Sequence, residues 1–538
     1  MYILLSTLWF IWILKYVLFW LYLWQLKDYH IARFIDHFRT HKGKKLIFDF
    51  FQIAKLILLM LFLVASGWFI YLFSALFLVY SAEFALFVRG IVNKSLRKPV
   101  RTLKTIFLTA ISFAVVVWLW FWVLKFKDVL QPSVYIALDI LTPIIISAVV
   151  LFFQPFFVLL RNKKLSEAKD KIEKVKQVSG LKIVAITGSY GKTTTKEFLS
   201  AILSRRFKVL KTKEHQNSEI GVANCILQDL KPSHQIFIAE VGAYDKGKVK
   251  EVCSMIKPKI GIVTGVNEQH LALFGSLNNL LSAEGGGELA EALPKDGLLI
   301  VNGDNKYCLD LYKKTLPKQF AKKIYCLNNN AVDSDIWSES ITVQEDSISF
   351  LAINKKGEMA HFGVKVLGKQ NVQNLLGAIL IAKELGMSFE EISEACKDIS
   401  EEQGGMSLKK GKYNISIVDS SYSSNPDGVY ADLDYFSIFA GKKVIVMPCL
   451  IELGEKSSMI HEKIGKKIGK ICDLAIITTK DKFKEIEGGF NDTRKEGSKI
   501  LLCDNAQDIY SAVTLFCKSG DAVLLEGRVP NGLINLLA

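Results

Sequence analysis

Residues 186–198, ITGSYGKTTTKEF, contain the residue types that bind a phosphate chain. A glycine-containing turn between a β-branched strand and an amphipathic helix directs backbone N–H groups and a helix N-terminus at an anion. Within such a loop, Lys192 reaches the terminal phosphates and Thr193 offers a hydroxyl group to Mg²⁺. The stretch therefore predicts an ATP site, whose loop residues are Gly188, Ser189, Gly191, Lys192, Thr193 and Thr194.

The spacing of this loop differs from that of the standard P-loop. The standard motif has a glycine five residues before Gly191, where this chain has Ile186, so Gly188 takes the role of the first glycine. Residues 181–203, LKIVAITGSYGKTTTKEFLSAIL, predict a strand, a turn and a helix in the required order. A strand–turn–helix corner without a ligand is the alternative that the loop alone leaves open.

The shortened loop, with a threonine before Gly188 and three threonines after Lys192, resembles the Mur ligase family. Further stretches resemble the same family in the same order: EVGAYDKG, TGVNEQHLALFGS, GKQNVQNLLGA, DSSYSSNP and IELGEKSSMIHEKIG. The resemblance covers residues 181–536 and is greatest for the members that add D-alanyl-D-alanine. It implies formation of an amide bond in a cell-wall precursor with ATP and Mg²⁺.

The resemblance also implies roles for individual residues. Glu240 would hold a magnesium ion, His270 would contact a second metal ion, and Asn374 would meet the adenine ring. Asp419 would touch the ribose or the phosphates. The predicted catalytic residues are Lys192, Glu240 and His270, and the predicted metal ligands are Thr193, Glu240 and His270.

Each of these residues has a simpler interpretation when it is considered alone. Glu240 follows the stretch HQIFIA and is also typical of a charged strand end, and a single histidine such as His270 is more often structural than a ligand. Asp419 and Asn425 are typical turn formers close to a proline. For His461, a position on a helix surface is favoured over a catalytic role.

Two glycines stand where the family has functional side chains. Gly286, in AEGGGEL, occupies the place of a lysine that becomes carbamylated and helps to hold the second magnesium ion, and Gly405, in QGGMSL, occupies the place of a phosphate-contacting arginine. Ser420 likewise replaces an acid. Three interpretations are compatible with these departures. The chain is a slow ligase, a ligase that uses another group such as Glu284, or a relative that binds its ligands without catalysis. If the backbone keeps the family's shape, Gly286→Lys made together with Gly405→Arg is expected to raise activity.

Residues 1–160 are predicted to form a membrane region. Residues 2–26, 105–124 and 134–157 are apolar over the length that spans a bilayer. Residues 50–88 are also apolar, and the basic loops on either side of them are both expected in the cytoplasm, which requires an even number of crossings between them. We therefore predict a hairpin near residues 66–74, five crossings in total and an N-terminus outside the cytoplasm.

The charge distribution argues against nucleic-acid binding. Residues 1–160 carry a net charge of +10 out of +15 for the whole chain, as expected for the basic flanks of membrane helices. All nine cysteines follow residue 160 without a CxxC pair, which indicates reduced thiols in the cytosol. Within the spans, Glu83 and Asp139 either line a polar site or, as favoured, face a neighbouring helix or the interface.

The predicted fold is an α-helical membrane bundle followed by α/β domains. Residues 161–180 form a linker helix, residues 181–400 a P-loop ATPase central domain, and residues 401–538 a smaller doubly wound α/β C-terminal domain. The active site is expected in the cleft between the two α/β domains. The protein is predicted to lie in the cytoplasmic membrane as a multi-pass protein, with its ligase domains in the cytoplasm.

The leading functional hypothesis is a membrane-anchored, ATP-dependent amide ligase that joins an amino acid or a dipeptide to a cell-wall precursor. The family's soluble N-terminal domain, which grips the UDP part of the precursor, has no counterpart in residues 1–160, so a lipid-linked substrate suits this arrangement better. A nucleotide-binding membrane anchor or scaffold for wall-synthesis enzymes, with weakened or no catalysis, is the alternative. An ATP-driven transporter is disfavoured because no ABC-type signature follows the loop.

Overall fold

The computed structural model describes every residue except 1, 48, 65, 94–95, 127–129, 215, 268–269, 316–319, 330–331 and 423–424. The chain divides into two compact units, Met1–Asn162 and Lys163–Ala538. The described part of the first unit contains helices only, and the second unit is built on two β-sheets.

Long apolar stretches form the helices of the first unit, because a helix satisfies its own backbone polar groups. Its helices are α1 (Tyr2–Leu26), α2 (Ile31–His37), α3 (His41–Ile47), α4 (Phe50–Val64), α5 (Phe69–Val92), α6 (Leu103–Val123) and α7 (Leu130–Ser179), which continues beyond this unit. By length and composition, five helices of the described chain could cross a membrane: Tyr2–Leu26, Gly43–Val64, Phe69–Val92, Leu103–Val123 and Leu130–Ser179. The number of candidate spans is the predicted one.

The apolar stretch at residues 50–88 is broken, as the charge pattern predicted. Helix α4 ends at Val64, a 3₁₀ turn covers Ser66–Trp68, and α5 begins at Phe69. Residues 161–179 are helical, in agreement with the predicted linker helix, and form the last part of α7. The two prolines inside α7, Pro143 and Pro155, both lie before this segment, so nothing in it ends the helix.

A buried ionic triad connects three helices of the first unit. Lys55 of α4 donates from Nζ to Glu83 Oε1 of α5 at 2.8 Å and to Asp139 Oδ2 of α7. All three side chains are at most 1% exposed. The indole N–H of Trp12, on α1, donates to Asp139 Oδ1 at 3.4 Å. Glu83 and Asp139 therefore face neighbouring helices, which is the interpretation favoured from the sequence. The sequence analysis did not identify Lys55 as their partner.

Lys55→Met is expected to destabilise the first unit, because the two carboxylates lose their cation, and breaking a buried pair in this way costs about 3–5 kcal/mol. Thermal denaturation of the full-length protein in detergent, read as protease resistance of residues 1–162, measures the effect. Lys44→Met removes an exposed lysine of the same unit and is the matched control. Adding Glu83→Gln and Asp139→Asn to Lys55→Met should recover most of the loss. Equal resistance of Lys55→Met and the parent would contradict a stabilising role for the triad.

The central domain is built on a nine-stranded sheet in the order β2-β3-β1-β4-β5-β6-β7-β8-β9. Its strands are β1 (Lys182–Thr187), β2 (Val209–Lys211), β3 (Ile236–Glu240), β4 (Ile260–Val263), β5 (Leu298–Asn302), β6 (Ala321–Cys326), β7 (Ile336–Val343), β8 (Ile348–Asn354) and β9 (Met359–Val364). Strands β1 to β7 pair in parallel, whereas β8 pairs antiparallel with both β7 and β9. Because β1 lies between β3 and β4, the loops that follow these three strands meet at one edge of the sheet.

Helices pack on both faces of this sheet because its central strands are apolar on both sides. In β1, Val184 and Ile186 pack into one buried cluster, and Ile183 and Ala185 pack into the other. The helices of this domain are α8 (Lys192–Ser204), α9 (Glu219–Asp229), α10 (Lys248–Ile256), α11 (Leu271–Phe274), α12 (Leu277–Ser282), α13 (Gly287–Ala292), α14 (Lys306–Lys314), α15 (Gln370–Glu384) and α16 (Phe389–Cys396).

The C-terminal domain contains a six-stranded sheet in the order β10-β11-β15-β12-β13-β14, which is parallel except for β10. Its strands are β10 (Ser407–Lys410), β11 (Ser416–Ser420), β12 (Lys443–Met447), β13 (Leu474–Ile477), β14 (Lys499–Leu502) and β15 (Ala522–Glu526). Its helices are α17 (Pro426–Phe436), α18 (Ser457–Ile471), α19 (Phe483–Thr493), α20 (Ala506–Phe516) and α21 (Leu533–Leu537). Buried clusters on both faces of the sheet agree with the predicted α/β fold.

The position of His461 corrects one prediction. This residue lies on α18 but is fully buried, rather than on the helix surface. Its Nε2 accepts a hydrogen bond from the backbone N–H of Leu450 at 2.9 Å, and its Nδ1 lies 2.6 Å from the carbonyl oxygen of Ser457. Burial lowers the pKa of His461, so the neutral ring fastens the segment after β12 to α18. Its role is structural.

Candidate active site

The loop between β1 and α8 requires glycine at two positions. Gly188 (φ +140°) and Gly191 (φ +76°) have backbone conformations that L side chains rarely adopt. A Cβ atom on Gly188 would lie 2.9 Å from the carbonyl oxygen of Gly265, and one on Gly191 would lie 2.6 Å from Asn374 Oδ1. The loop thus packs closely against the segment after β4 and against α15, which fixes its backbone at the N-terminus of α8.

Lys192 and Ser189 bond to the same loop and to its neighbours. Lys192 Nζ donates to the carbonyl oxygen of Gly188 and, at 3.4 Å, to that of Ser189. Ser189 Oγ donates to Glu284 at 3.0 Å and accepts from the backbone N–H of Asn267 at 3.2 Å. The ammonium group of Lys192 is therefore held over the loop, where loops of this kind bind phosphate.

Glu240 is the acceptor at the centre of a cluster beside Thr193. Parallel pairing of β1 with β3 brings Glu240 to the start of α8. Its carboxylate accepts hydrogen bonds from Thr193 Oγ1 at 3.0 Å, Lys196 Nζ at 3.0 Å and Asn217 Nδ2 at 3.1 Å. Burial alone would raise the pKa of Glu240, but Lys196 and Lys192 outweigh it, so the pKa is lowered and the side chain is anionic.

Lys196 and Asn217 of this cluster were missed from the sequence. A signal was available for Lys196, because it follows Lys192 by four residues in a predicted helix and therefore lies on the same side. Asn217 precedes α9 and comes from a different βα connection. Only the order of the strands brings it to Glu240, and no spacing in the sequence reports that order.

His270 lies between two carboxylates. Its Nδ1 is 2.9 Å from Glu284 Oε1, and its Nε2 is 3.9 Å from Glu452 Oε2 of the C-terminal domain. Glu284 is 1% exposed and also accepts from Ser189, so it links the phosphate loop to His270. Burial would lower the pKa of His270, but Glu284, and then Glu452, raise it. The preceding residues 268–269 lie outside the described residues.

Asn374, whose contact with adenine stays a prediction, lies directly beside the loop between β1 and α8. Its Oδ1 accepts a hydrogen bond from Thr195 Oγ1 at 3.5 Å, and the same oxygen approaches Gly191. Its Nδ2 donates to Asn371 Oδ1 at 3.1 Å within α15. The amide is thus held in place against the N-terminus of α8.

Asp419 is held within the C-terminal domain. It pairs with Lys409 at 3.1 Å and accepts a hydrogen bond from Ser421 Oγ at 2.6 Å. Thr194, by contrast, lies beside the connection between the two domains, because its Oγ1 is 3.6 Å from the Cβ position of Gly405. A pocket of about 250 Å³ is lined by Glu402, Gly405, Met406, Ser407, Asp419, Ser421 and Tyr422.

Asn267 connects the two α/β domains through hydrogen bonds. Its Nδ2 donates to Asn425 Oδ1 at 3.2 Å and to Asp427 Oδ2 at 2.8 Å. Asn425 caps α17 by accepting from the backbone N–H of Gly428 at 3.0 Å, which agrees with its interpretation as a turn former. The preceding residues 423–424 of the predicted motif lie outside the described residues.

Gly286 and Gly405, the two glycines that replace functional side chains of the family, both have backbone conformations that favour glycine. Gly286 (φ +84°) is the N-cap of α13, and a Cβ atom there would collide with Val263. Gly405 has a φ of +83°. Side chains are strained at both positions, so the condition for a gain of activity by Gly286→Lys with Gly405→Arg is not met. The carboxylate beside His270 comes instead from Glu284, two residues before Gly286.

Two domains of known proteins match this sequence. Residues 186–382 match the Mur ligase middle domain, and residues 406–529 match the Mur ligase, glutamate ligase domain. Both matches lie in the second unit, and together they cover the phosphate loop, Glu240, His270, Asn374 and Asp419.

Relatives that match this sequence are UDP-N-acetylmuramoyl-tripeptide–D-alanyl-D-alanine ligases. That of Escherichia coli is 28% identical over 292 residues, which are 54% of this chain and 63% of the relative. That of Synechocystis is 27% identical over 354 residues, which are 65% of this chain and 72% of the relative. The match spans less than two thirds of the Escherichia coli and Haemophilus influenzae relatives.

Solved structures of MurF have the same fold. MurF from Acinetobacter baumannii aligns with a TM-score of 0.61 and 22% identity, over 70% of this chain and 79% of that one. MurF ligase from Thermotoga maritima, solved in complex with ADP, aligns with a TM-score of 0.58 and 23% identity, over 68% of this chain and 80% of that one.

Lys192→Ala is expected to abolish ATP binding while leaving the fold intact, because it removes the cation held over the loop and no core side chain. Equilibrium binding of ATP with Mg²⁺ to the full-length protein measures the effect. Lys182→Ala removes an exposed lysine at the opposite end of β1 and is the matched control. Equal affinities of Lys192→Ala and Lys182→Ala for ATP would show that the loop does not bind phosphate.

Proposed function

We propose that this chain, which belongs to the Mur ligase family, is an ATP-dependent ligase that forms an amide bond in a cell-wall precursor. Members of this family are carbon–nitrogen ligases that consume ATP. The observation that carries the proposal is the cluster of Thr193, Lys196 and Glu240 at the N-terminus of α8, directly after a loop that requires glycine. The cluster combines the hydroxyl and carboxylate ligands of a metal ion with a loop suited to a phosphate chain.

Mg²⁺ fits the residues of this cluster. Magnesium is usually held by one or two carboxylates together with phosphate oxygens and water. Glu240 and Thr193 would hold it, and the remaining ligands would come from phosphate and water, since the described residues form no group of three His, Cys, Asp or Glu side chains suited to a metal. When bound, the ion supplies positive charge next to the phosphoryl group that is transferred.

The proposed reaction has two steps. A carboxylate of the precursor attacks the terminal phosphorus of ATP, which forms an acyl phosphate and releases ADP. An amine then attacks the acyl carbon, phosphate leaves, and the amine loses a proton. In both steps the protein's task is to align the reactants and to stabilise negative charge. Lys192 is proposed to bind the terminal phosphate, Asn374 to meet the adenine ring, and Asp419 to reach the ribose or the phosphates from the C-terminal domain.

Glu284 is proposed to supply the negative charge that Gly286 does not carry. It is buried, bonds to His270 through both carboxylate oxygens at 2.9 and 3.1 Å, and accepts from Ser189 in the loop. His270 and Glu284 would together orient the charged groups at the far side of the phosphate chain. This arrangement supports a ligase in which Glu284, rather than a side chain at position 286, supplies the second negative charge.

The substrates are inferred from the relatives and from the first unit. The relatives' name pairs a UDP-linked muramoyl tripeptide with D-alanyl-D-alanine, so we infer D-alanyl-D-alanine, or another amino acid or dipeptide, as the amine. Five apolar helices support a multi-pass position in the cytoplasmic membrane with the ligase domains in the cytoplasm. A lipid-linked form of the precursor would then be the favoured donor of the carboxylate.

The full-length protein in nanodiscs, incubated with ATP, Mg²⁺, D-alanyl-D-alanine and a precursor, is expected to release ADP and phosphate only when both substrates are present. Parallel reactions contain either the UDP-linked tripeptide or the same tripeptide on its lipid carrier, and mass spectrometry detects the new amide as the sum of both substrates less one water. Lys192→Ala is the inactive control. ATP binding without any amide product would instead support a nucleotide-binding membrane anchor, and product from the UDP-linked precursor alone would exclude the lipid-linked preference.

The proposed topology places the loops near Lys42 and Lys98 in the cytoplasm and the turn between α4 and α5 on the other side, because basic loops remain cytoplasmic. Single epitope tags beside Lys42, beside Lys98 and beside Trp68 should label accordingly in intact and permeabilised cells. The tag beside Trp68 is the internal control, since it alone should be reached from outside. Labelling of the first two tags from opposite sides would contradict a hairpin of α4 and α5.

A further inference from the structure

The C-terminal domain contains a buried pair of carboxyl groups outside the site described above. Glu526 is the last residue of β15 and is 0% exposed, and Asp432 lies on α17 and is 5% exposed. Neither forms an ion pair with a lysine, arginine or histidine of the described chain. Two ionised carboxylates in such a place are strongly unfavourable, so a proton or a cation must neutralise one of them.

The hydrogen bonds of the two groups are unequal. Asp432 accepts from Ser420 Oγ at 2.5 Å and from Gln370 Nε2 at 3.1 Å. Both oxygens of Glu526 are buried, and neither accepts a hydrogen bond from any described donor. Ser420 pairs with Glu526 across β11 and β15, and its hydroxyl group bonds to Asp432, so the two carboxyl groups share Ser420 as a neighbour. Asp432 therefore has the hydrogen-bond donors that an ionised carboxylate needs. Glu526 has none among the described residues, as expected for a protonated carboxyl group that donates to Asp432.

The charges around Glu526 favour its neutral form. Burial raises the pKa of Glu526 well above the usual range of a carboxyl group, and the charge of Asp432 raises it further. The elements packed against the pair contribute Ser420 from β11 and Gln370 from α15, which are both uncharged. Among the described residues, the titratable group that acts on Glu526 is therefore Asp432.

We propose that Glu526 is a neutral carboxylic acid that donates its proton to Asp432, and that this shared proton fastens the C-terminal domain to the first turn of α15. Asp432 bridges the domains because it accepts from Ser420 on one side and from Gln370 on the other. Ser420 is also the strand partner of Glu526 in the pairing of β11 with β15. The inference does not depend on the proposed ligase activity.

The pair lies close to two residues of the candidate site along the chain. Ser420 directly follows Asp419 on β11, and Gln370 lies one helical turn before Asn374 on α15. Loss of the shared proton would place two negative charges in the same buried space and loosen the contact between these elements. The alignment of the two α/β domains would then respond to pH through a group that does not touch the nucleotide site.

The sign of the pH dependence follows from the raised pKa. Because the folded form holds the proton more tightly than the opened form, the stabilisation is complete below the ordinary pKa of glutamate. It is lost as the pH rises towards the raised pKa of the folded form. One proton released on opening makes the opening equilibrium constant rise about tenfold per pH unit within this window.

Hydrogen–deuterium exchange of the full-length protein in detergent, between about pH 5 and pH 9, tests this slope. The amides of β11, β15 and the first turn of α15 report the opening constant after correction for intrinsic exchange. The parent protein is expected to show the tenfold rise per unit. Glu526→Gln is expected to lack it, because its amide N–H donates to Asp432 at every pH. Glu496→Gln removes an exposed carboxylate of the same domain and should keep the parent's slope.

Asp432→Asn is the second variant, and its slope should be weaker and begin at a lower pH than the parent's, because the charge of Asp432 is gone and the new amide can donate to an ionised Glu526. It carries the test if Glu526→Gln does not fold. The same slope in either variant as in the parent overturns the proposal. A slope in the parent that disappears when KCl or MgCl₂ replaces choline chloride at equal ionic strength also overturns it, because a bound cation would then neutralise the pair.

Discussion

Parallel pairing of β1 with β3 on one side and β4 on the other is the constraint on which the candidate site depends. It brings the loop after β1, the end of β3 and the loop after β4 to one edge of the sheet. Glu240 thereby reaches Thr193, although 46 residues lie between them in the chain. The same pairing leaves no room for a side chain at Gly188, whose backbone approaches Gly265. The hydrogen bond between Glu240 and Thr193 and the close approach of Gly188 to Gly265 therefore depend on the same register of β1 with its neighbouring strands.

Local patterns in the sequence predicted the parts of the site that depend on neighbouring residues. The phosphate loop is one example, because the glycines, Lys192 and Thr193 lie within six residues of one another. Lys55 was not predicted, since a single lysine in an apolar stretch gives no signal of the two acids it meets on other helices. The burial of His461 was missed for a related reason: its ring faces the segment that contains Leu450, and a helical pattern does not report which loop covers a helix.

The region around His270 contains a buried carboxylate two residues before the glycine that stands in the place of the family's lysine. The backbone at Gly286 has a conformation that excludes a side chain, yet Glu284 places a carboxylate beside His270 from two residues earlier. Glu284 also bonds to Ser189, so the phosphate loop and the histidine share one anionic partner. The resemblance to the family identified the missing side chain. The sequence also offered Glu284 as another group for the site, but its contact with His270 could not be predicted, because that contact depends on the turn between α12 and α13 and not on spacing.

The triad of Lys55, Glu83 and Asp139 has a consequence for the order in which the first unit is assembled during translation. Helices α4 and α5 are synthesised before α7, so both Lys55 and Glu83 are present in the growing chain before Asp139. Within the hairpin of α4 and α5, Lys55 and Glu83 already form an ion pair of opposite charges. Asp139 contacts Lys55 only when α7 packs against the hairpin of α4 and α5. Completion of the triad therefore depends on α7, which is synthesised after both α4 and α5.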